Sequence, residues 1–371
     1  MKRILLGTSV LVSSVLAAAA AQASDPVKLS LGGYMEYWVA GAKQDGAYAD
    51  PVNSFDVQGD AQIYFSGKTL LDNGMEVGAQ VQIAAGADSN DTEVIRSYAW
   101  LSGNAGKLIV GKYRDVVWQT HNSAPDASYL TAGTSKSDFY QIAPWGDGVT
   151  VLDPNETPTN YANKLSYFTP KVYGFQLGAS YTPSNNPKGD DLLGDKDSET
   201  VRKAAGFDEA WATALSYGGE FAGVGVKAAV GYDYMNANGD FGYGSDVHNF
   251  QTSAELSYRG FTVGGSFNRM VAPQDSFNAA KDGHAWEAGL GYAEGPYAVS
   301  FSYTHSAVRG DTGFDGDDTV DLYRIGAKYA LGPGVDLWSS VGYLNSESAT
   351  GKAVDGNEGA IGGAVGLRLT F

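Results

Sequence analysis

The sequence predicts an all-β chain, a membrane-spanning antiparallel up-and-down β-barrel of about sixteen strands, an even number being expected for such a barrel. Three observations predict it. Apolar residues alternate with small or polar ones at a period of two along most of the chain, which gives each strand one greasy face. Short and long connections alternate between those runs, an asymmetry that a soluble sandwich gives no reason for. The last stretch, Gly359 to Phe371, keeps its apolar face (Ile361, Val365, Leu367, Leu369, Phe371) to the final residue, so that face needs an apolar neighbour.

The N-terminus reads as a secretory signal peptide over residues 1–23. Lys2 and Arg3 supply the positive start, Ile4 to Ala20 the apolar run, and Ala21-Gln22-Ala23 the small-residue cleavage site. The barrel domain is then expected over residues 24–371. No later run of eighteen apolar residues occurs, so no membrane-crossing helix is expected. Cysteine is absent, which removes disulfides and thiolate metal sites. The formal net charge is -17, and about -19 without Lys2 and Arg3. That acidity argues against a nucleic-acid partner, which wants a basic face. It suits a surface or pore that concentrates cations. Forty-nine Gly and 23 Tyr exceed the usage of ordinary soluble domains and suggest many turns and aromatic girdles.

The first strand is expected near Val27 to Val39, with Leu29, Leu31, Met35, Tyr37 and Val39 outward and Lys28, Ser30 and Glu36 inward. In Phe55 to Lys68, Phe55, Val57, Ala61, Ile63 and Phe65 face out, against Asp56, Gln58, Asp60, Gln62 and Ser66. Met75 to Ala85 sets Met75, Val77, Ala79, Val81 and Ile83 against Glu76, Gln80 and Gln82. Phe175, Leu177, Ala179 and Tyr181 alternate with Gln176, Gly178, Ser180 and Thr182. Strand 208–217 turns Ala210, Ala212, Ala214 and Ser216 inward and Trp211, Leu215 and Tyr217 outward. Strand 224–234 closes on Tyr232 and Tyr234, Tyr297 to Thr304 alternates again, and strand 335–345 carries Tyr343 near its end. Rings at strand ends settle at headgroup depth, so they are read as interfacial belts.

Tight links fall at 71–74, 104–106, 170–174, 218–223, 259–260, 294–296 and 331–334. Longer polar links fall at 41–53, 87–92, 114–160, 184–207, 237–245, 272–282, 308–318 and 348–357. If the chain closes on itself, the terminal strand pairs with strand 27–39 and no open edge is left in lipid.

The order of several segments carries a resemblance. Arg96-Ser97-Tyr98-Ala99-Trp100-Leu101-Ser102 is followed by Gly106-Lys107-Leu108-Ile109-Val110-Gly111-Lys112, then by a long link. After it come Asn163-Lys164-Leu165-Ser166-Tyr167-Phe168-Thr169-Pro170 and Tyr173-Gly174-Phe175. Over residues 25–371 this resembles the Gram-negative general porins of the 16-stranded trimeric alphaproteobacterial kind. The resemblance implies an outer-membrane, water-filled barrel for passive diffusion of ions and small hydrophilic solutes, with the third long loop, about 114–160, folded into the lumen. That loop carries Asp115, Asp126, Asp138, Asp147, Asp153 and Glu156 against few cations. The family sets such carboxylates opposite basic wall residues, a transverse field that sets ion preference. Wall candidates are Arg96, Lys112, Arg114, Lys164, Arg324 and Arg368, joined by Asp56 and Asp60, which the family often replaces with basic residues. Arg96 and Lys112 lie on strands of poor alternation, which leaves their facing open. A cation-leaning pore is expected. The family also implies a homotrimer, contact with lipid and lipopolysaccharide, and recognition of Phe371 by the barrel-assembly machinery. The second long loop, 87–92, looks short for its usual role as a latch onto the neighbouring subunit.

Other chemistries fit less well. An outer-membrane hydrolase would need catalytic spacing, but His121, His248, His284 and His305 form no metal-spaced pair, and neither G-x-S-x-G nor H-E-x-x-H occurs. No cofactor is expected. Asp311, Asp315, Asp317, Asp318 and Asp321 lack an EF-hand loop and leave only weak divalent cation binding, bridging lipopolysaccharide phosphates. A substrate-specific channel is the stronger alternative, yet inward aromatics are few (Tyr34, Trp38, Trp338), which favours a general pore.

Overall fold

A computed structural model describes residues 26–44, 55–85, 93–129, 151–159, 161–183, 207–237, 246–272, 282–309, 316–347 and 359–371. The expected signal peptide, the link at 87–92, and Asp138, Asp147, Asp311 and Asp315 lie outside them.

The described chain is sixteen strands and one short helix. The first eight strands are β1 (Lys28–Gln44), β2 (Phe55–Leu70), β3 (Glu76–Ala84), β4 (Glu93–Gly103), β5 (Gly106–Lys112), β6 (Asn163–Phe168), β7 (Phe175–Thr182) and β8 (Phe207–Phe221). The rest are β9 (Val224–Ala237), β10 (Val247–Tyr258), β11 (Phe261–Val271), β12 (Gly283–Glu294), β13 (Tyr297–Arg309), β14 (Asp317–Gly332), β15 (Val335–Glu347) and β16 (Ala360–Thr370). Helix α1 (Val116–Thr120) lies between β5 and β6. Each strand pairs antiparallel with its sequence neighbours, and β16 pairs with β1, so the barrel is closed. Closure matters because each unpaired backbone group in hydrocarbon costs several kcal/mol, and a closed ladder leaves no edge.

The closing register sets Met35 opposite Leu369, Tyr37 opposite Leu367 and Val39 opposite Val365, which joins the two apolar faces into one outward surface. Those side chains are exposed, whereas Glu36, Trp38 and Ala40 between them are buried. β1 runs on to Gln44, past the apolar band, where Gly41 and Lys43 replace the aliphatics. The turns fall within the predicted tight links, but β8 runs on to Phe221 and β14 to Gly332, so the links expected at 218–223 and 331–334 shrink to two residues each. At Tyr173-Gly174, Ala222-Gly223 and Arg259-Gly260 both residues have positive φ, the pairing of a type I′ hairpin whose twist matches the strands.

Two aromatic belts run along the outside between β7 and β14. At the short-link end, Phe175 meets Tyr217 (4.8 Å between centroids), Phe261 meets Tyr292 (4.5 Å) and Tyr297 meets Tyr329 (5.0 Å). At the other end, Tyr181 meets Trp211 (4.3 Å), Trp286 meets Tyr303 (4.9 Å) and Tyr303 meets Tyr323 (4.7 Å). Tilted pairs of this kind suit the ring quadrupole.

Candidate functional site

Residues 113–129, 151–159 and 161–162, between β5 and β6, lie against the inner wall. Irregular backbone there must find hydrogen-bond partners, and the inward face supplies them in sequence. The N–H groups of Val116, Asn122, Ala127 and Leu152 donate to the hydroxyls of Ser180, Ser253, Ser300 and Ser306 at 2.8–3.0 Å. Ala124 N–H donates to Glu287 Oε1 at 2.9 Å. Asn268 Nδ2 donates to the carbonyls of Asp153 (2.9 Å) and Glu156 (3.1 Å), and Asn249 and Gln251 also donate to the Glu156 carbonyl. The Ser-rich inward parity is therefore a row of acceptors for one inserted segment.

Close packing completes the seat. Val116 and Val117 of α1 are buried among Ile109, Phe168, Ala212 and Ala214. A Cβ added at Gly231 would meet Val117 Cγ1 at 2.5 Å, and one at Gly178 would meet Val116 Cβ at 2.9 Å. Further round, Gly326 would meet Asp126 Oδ1 at 3.0 Å and Gly291 would meet Pro125 Cβ at 3.0 Å. Small wall residues let the segment approach to van der Waals contact.

Three of the described loop carboxylates hold the segment's own shape, and Asp126 also reaches the wall. Asp115 is fully buried: Trp118 N–H donates to its Oδ1 (3.0 Å) as an N-cap, and Thr159 Oγ1 donates to its Oδ2 (2.8 Å). Asp126 Oδ1 accepts from Ser128 N–H and Oγ at 2.9 Å each, and Oδ2 stands 3.9 Å from Arg324 Nη2. Burial holds the Asp126 carboxyl above the usual carboxylate range, only partly offset by Arg324 and Ser128. Asp153 N–H donates to Glu156 Oε2 at 3.2 Å, which ties those two together. Lys164 is buried too, its ammonium donating to the carbonyls of Tyr113 and Ala162.

Two charged clusters remain. In one, the Arg96 guanidinium stands 5.3–5.4 Å from the rings of Tyr113, Trp118 and Tyr161, and Arg114 lies 4.2 Å from Tyr161 and 5.0 Å from Trp118. Burial disfavours ionisation of Tyr161, but Arg114 and Arg96 outweigh it and hold the phenol below its ordinary range. The other cluster sits at the closing seam. Arg368 bonds Glu36 (3.0 Å) and lies 3.8 Å over Tyr34 and 4.3 Å over Tyr129. Tyr34 donates to Asp60, Tyr129 donates to Asp336, and Lys328 Nζ donates to Tyr129 at 3.3 Å. Burial first, then Asp336, raise the Tyr129 phenol. Asp56, opposite the buried Ala40, accepts from Val57 N–H and from Gln58.

Lys112 stands apart. It pairs opposite Ser97 with the parity of the exposed Val110, so its strand position belongs to the outward face, and its ammonium donates to the Val94 carbonyl. The reading from sequence left out Glu36, Lys328, Asp336 and Tyr129 as site residues. Inward parity was the available signal for the first three; Tyr129 has none, because loop residues carry no period.

A family profile described as Gram-negative porin matches residues 7–349. The chain belongs to the Gram-negative porin family. The family and the closed barrel make this porin an outer-membrane β-barrel. Among solved structures, the trimer form of in-vitro folded OmpT, an outer membrane protein of Vibrio cholerae, aligns with a TM-score of 0.62 at 16% identity over 94% of this chain and 100% of that one. An anion-selective porin from Comamonas acidovorans gives 0.59 at 16% identity over 93% and 100%. A mutant of Rh. blastica porin gives 0.54 at 16% over 93% and 100%. These likenesses show the fold. Two curated relatives, uncharacterized proteins of Rickettsia felis and Rickettsia conorii, are 20% identical over 294 and 293 residues. The porin covers 64% of each relative's length, and the alignment covers 64% of this chain.

Proposed function

We propose that this porin is a passive, non-enzymatic channel through the outer membrane for ions and small hydrophilic solutes. The observation that carries the reading is the division of faces: exposed aliphatic and aromatic residues outside, and a polar wall inside to which a connecting segment is fastened so that it narrows the lumen without filling it with apolar side chains. Its constriction is set by 113–129, 151–159 and 161 against the two charged clusters. Glu36, Asp56, Asp60 and Asp336 on the seam side, with the acidic balance of the chain, support a cation-leaning pore. Asp115, Asp126, Asp153 and Glu156 act by holding the segment; Asp138 and Asp147 belong to the same loop. The small and polar residues that make up most of the inward face favour a general pore over a substrate-specific one, although Tyr64, Tyr98, Trp100, Tyr113 and Tyr161 put more rings beside the lumen than the sequence predicts.

The porin acts as a homotrimer in this reading. The outward faces of β3, β4 and β5 (Val77, Val81, Ala99, Leu101, Leu108, Val110) carry no aromatic belt among the described residues, which suits contact with a second copy better than with headgroups. Export by the signal peptide, insertion by the barrel-assembly machinery and contact with lipopolysaccharide complete the proposal.

The test is the refolded protein in planar bilayers and liposomes. Stepwise ohmic conductance, swelling rates falling smoothly with solute size and a cation-signed reversal potential in a KCl gradient are expected. Saturation by one solute would favour a specific channel, an anion-signed potential would remove the cation preference, and no conductance would end the channel reading.

A further inference from the structure

On the inner wall toward the short-link end, below the C-terminal end of α1, lies a cavity of ≈ 350 Å³, the low end of small-ligand pockets. Its lining holds three lysines and no carboxylate, although Glu255 and Glu76 stand beside two of them. Lys107, Lys171 and Lys227 come from three separate places in the sequence to line it. Lys107 stands 5.5 Å from the Trp100 ring, Lys227 pairs with Glu255 at 2.9 Å, and Lys171 is exposed at the turn between β6 and β7. Three amide side chains whose nitrogens are already engaged line the same cavity. Gln119 Nε2 donates to the Arg114 carbonyl (2.8 Å), Asn122 Nδ2 to Thr120 and Ser253 (3.3 and 3.1 Å), and Gln176 Nε2 to the Thr169 carbonyl (2.8 Å). Their carbonyl oxygens remain as acceptors. Ile109 and Phe168 add an apolar floor.

Ammonium donors call for an anionic group, amide acceptors call for hydroxyl groups, and an apolar floor suits the C–H face of a short carbon chain. We propose that this cavity is a lateral binding subsite for a small polyhydroxylated organic anion of the sugar-acid or hydroxycarboxylate class. It rests on the channel reading. Standing beside the path rather than across the two charged clusters, it holds an anion against the wall without setting the ion preference of the constriction.

The experiment is ion-current analysis of the full chain in planar bilayers in KCl, titrated with gluconate, with glucose as the neutral hydroxylated control and butyrate as the anion without hydroxyls. Saturable current reduction by gluconate alone is expected. Lys171→Gln should weaken it about ten-fold, the equivalent of one charge-assisted hydrogen bond, and Lys171→Arg should retain it. Lys171 is an exposed turn residue, so neither variant is expected to disturb folding. Gluconate acting no differently from glucose and butyrate, or equally on Lys171→Gln, overturns the subsite while the KCl conductance keeps the channel. Absence of KCl conductance overturns both, and is read before any titration.

Discussion

Gly33 and Phe371 exchange both main-chain hydrogen bonds, Gly33 N–H to the Phe371 carbonyl at 2.9 Å and Phe371 N–H to the Gly33 carbonyl at 3.0 Å. A Cβ at Gly33 would also sit 3.2 Å from Phe371 Cε2, so the ring lies over the glycine. Deleting Phe371 removes this exchange and leaves Gly33 N–H without its partner in the ladder. The expected outcome is a clear loss in assembly yield, read as the heat-modifiable folded band on gels, with unchanged unit conductance for the pores that do form. Wild-type yield from the truncated chain would refute a role for Phe371 in assembly.

Asp126 and Arg324 are unequal partners. Arg324 is buried and Asp126 nearly so, and the carboxyl is raised by burial more than Arg324 lowers it. A docked segment therefore binds the Asp126 proton more tightly than a released one. Docking strengthens as pH falls through the raised value and is weakest above it, with no further gain below the ordinary carboxylate range. Arg324→Gln leaves the buried carboxylate uncompensated at neutral pH, at about 3–5 kcal/mol. Asp126→Asn retains the Oδ1 bonds to Ser128, and should cost far less and remove this pH dependence. Open-channel current noise between pH 4 and 8 together with urea midpoints measures both; equal costs for the two single variants would contradict the asymmetry.

The strands were legible because lipid imposes one rule on every outward position, and alternation records it. Closure was legible for the same reason: Met35, Tyr37 and Val39 share one face that needs an apolar neighbour, and Leu369, Leu367 and Val365 stand opposite them. The lumen obeys no single rule. Where α1 packs, Ile109 and Phe168 turn apolar side chains inward, which blurs the alternation of β5 and β6 and hides the facing of Lys112. Loop acids carry no period at all. An Asp that caps a helix, as Asp115 does, reads in sequence like one that faces water.

Arg96 and Arg114 give the constriction a cationic side that the net charge of -17 conceals. A unit charge about 6 Å from a permeating ion in water is worth roughly 0.7 kcal/mol, against a cation and in favour of an anion, so Arg96→Gln should raise the cation-to-anion permeability ratio about ten-fold. Ring contacts with Tyr113, Trp118 and Tyr161, and a 3.4 Å hydrogen bond from Nη2 to the Tyr161 hydroxyl, fix Arg96, so Arg96→Lys should keep much of the charge effect with a looser constriction and noisier current. Reversal potentials of the three proteins in one KCl gradient decide it. An unchanged ratio in Arg96→Gln would mean that this cluster lies off the ion path.

Gly231 and Val117 test the docking itself. The 2.5 Å approach of a Cβ at 231 to Val117 Cγ1 cannot be relieved by a flexible chain end, because Val117 is branched at Cβ and 2% exposed. Gly231→Ala should therefore cost about 1–3 kcal/mol of overpacking. The strain falls on the inserted segment, because the wall is fixed by ladder hydrogen bonds to β8 and β10 on either side. Val117→Ala alone should cost less than a full cavity, since α1 can settle toward the wall. Combined, the two changes should be less damaging than the sum of the singles by about 1 kcal/mol or more, the coupling expected of side chains in direct contact. Thermal midpoints give the cycle, and current flicker shows where the energy goes. If Gly231→Ala lowers the midpoint without raising the flicker, the strain has entered the barrel wall and the segment is not seated on Gly231.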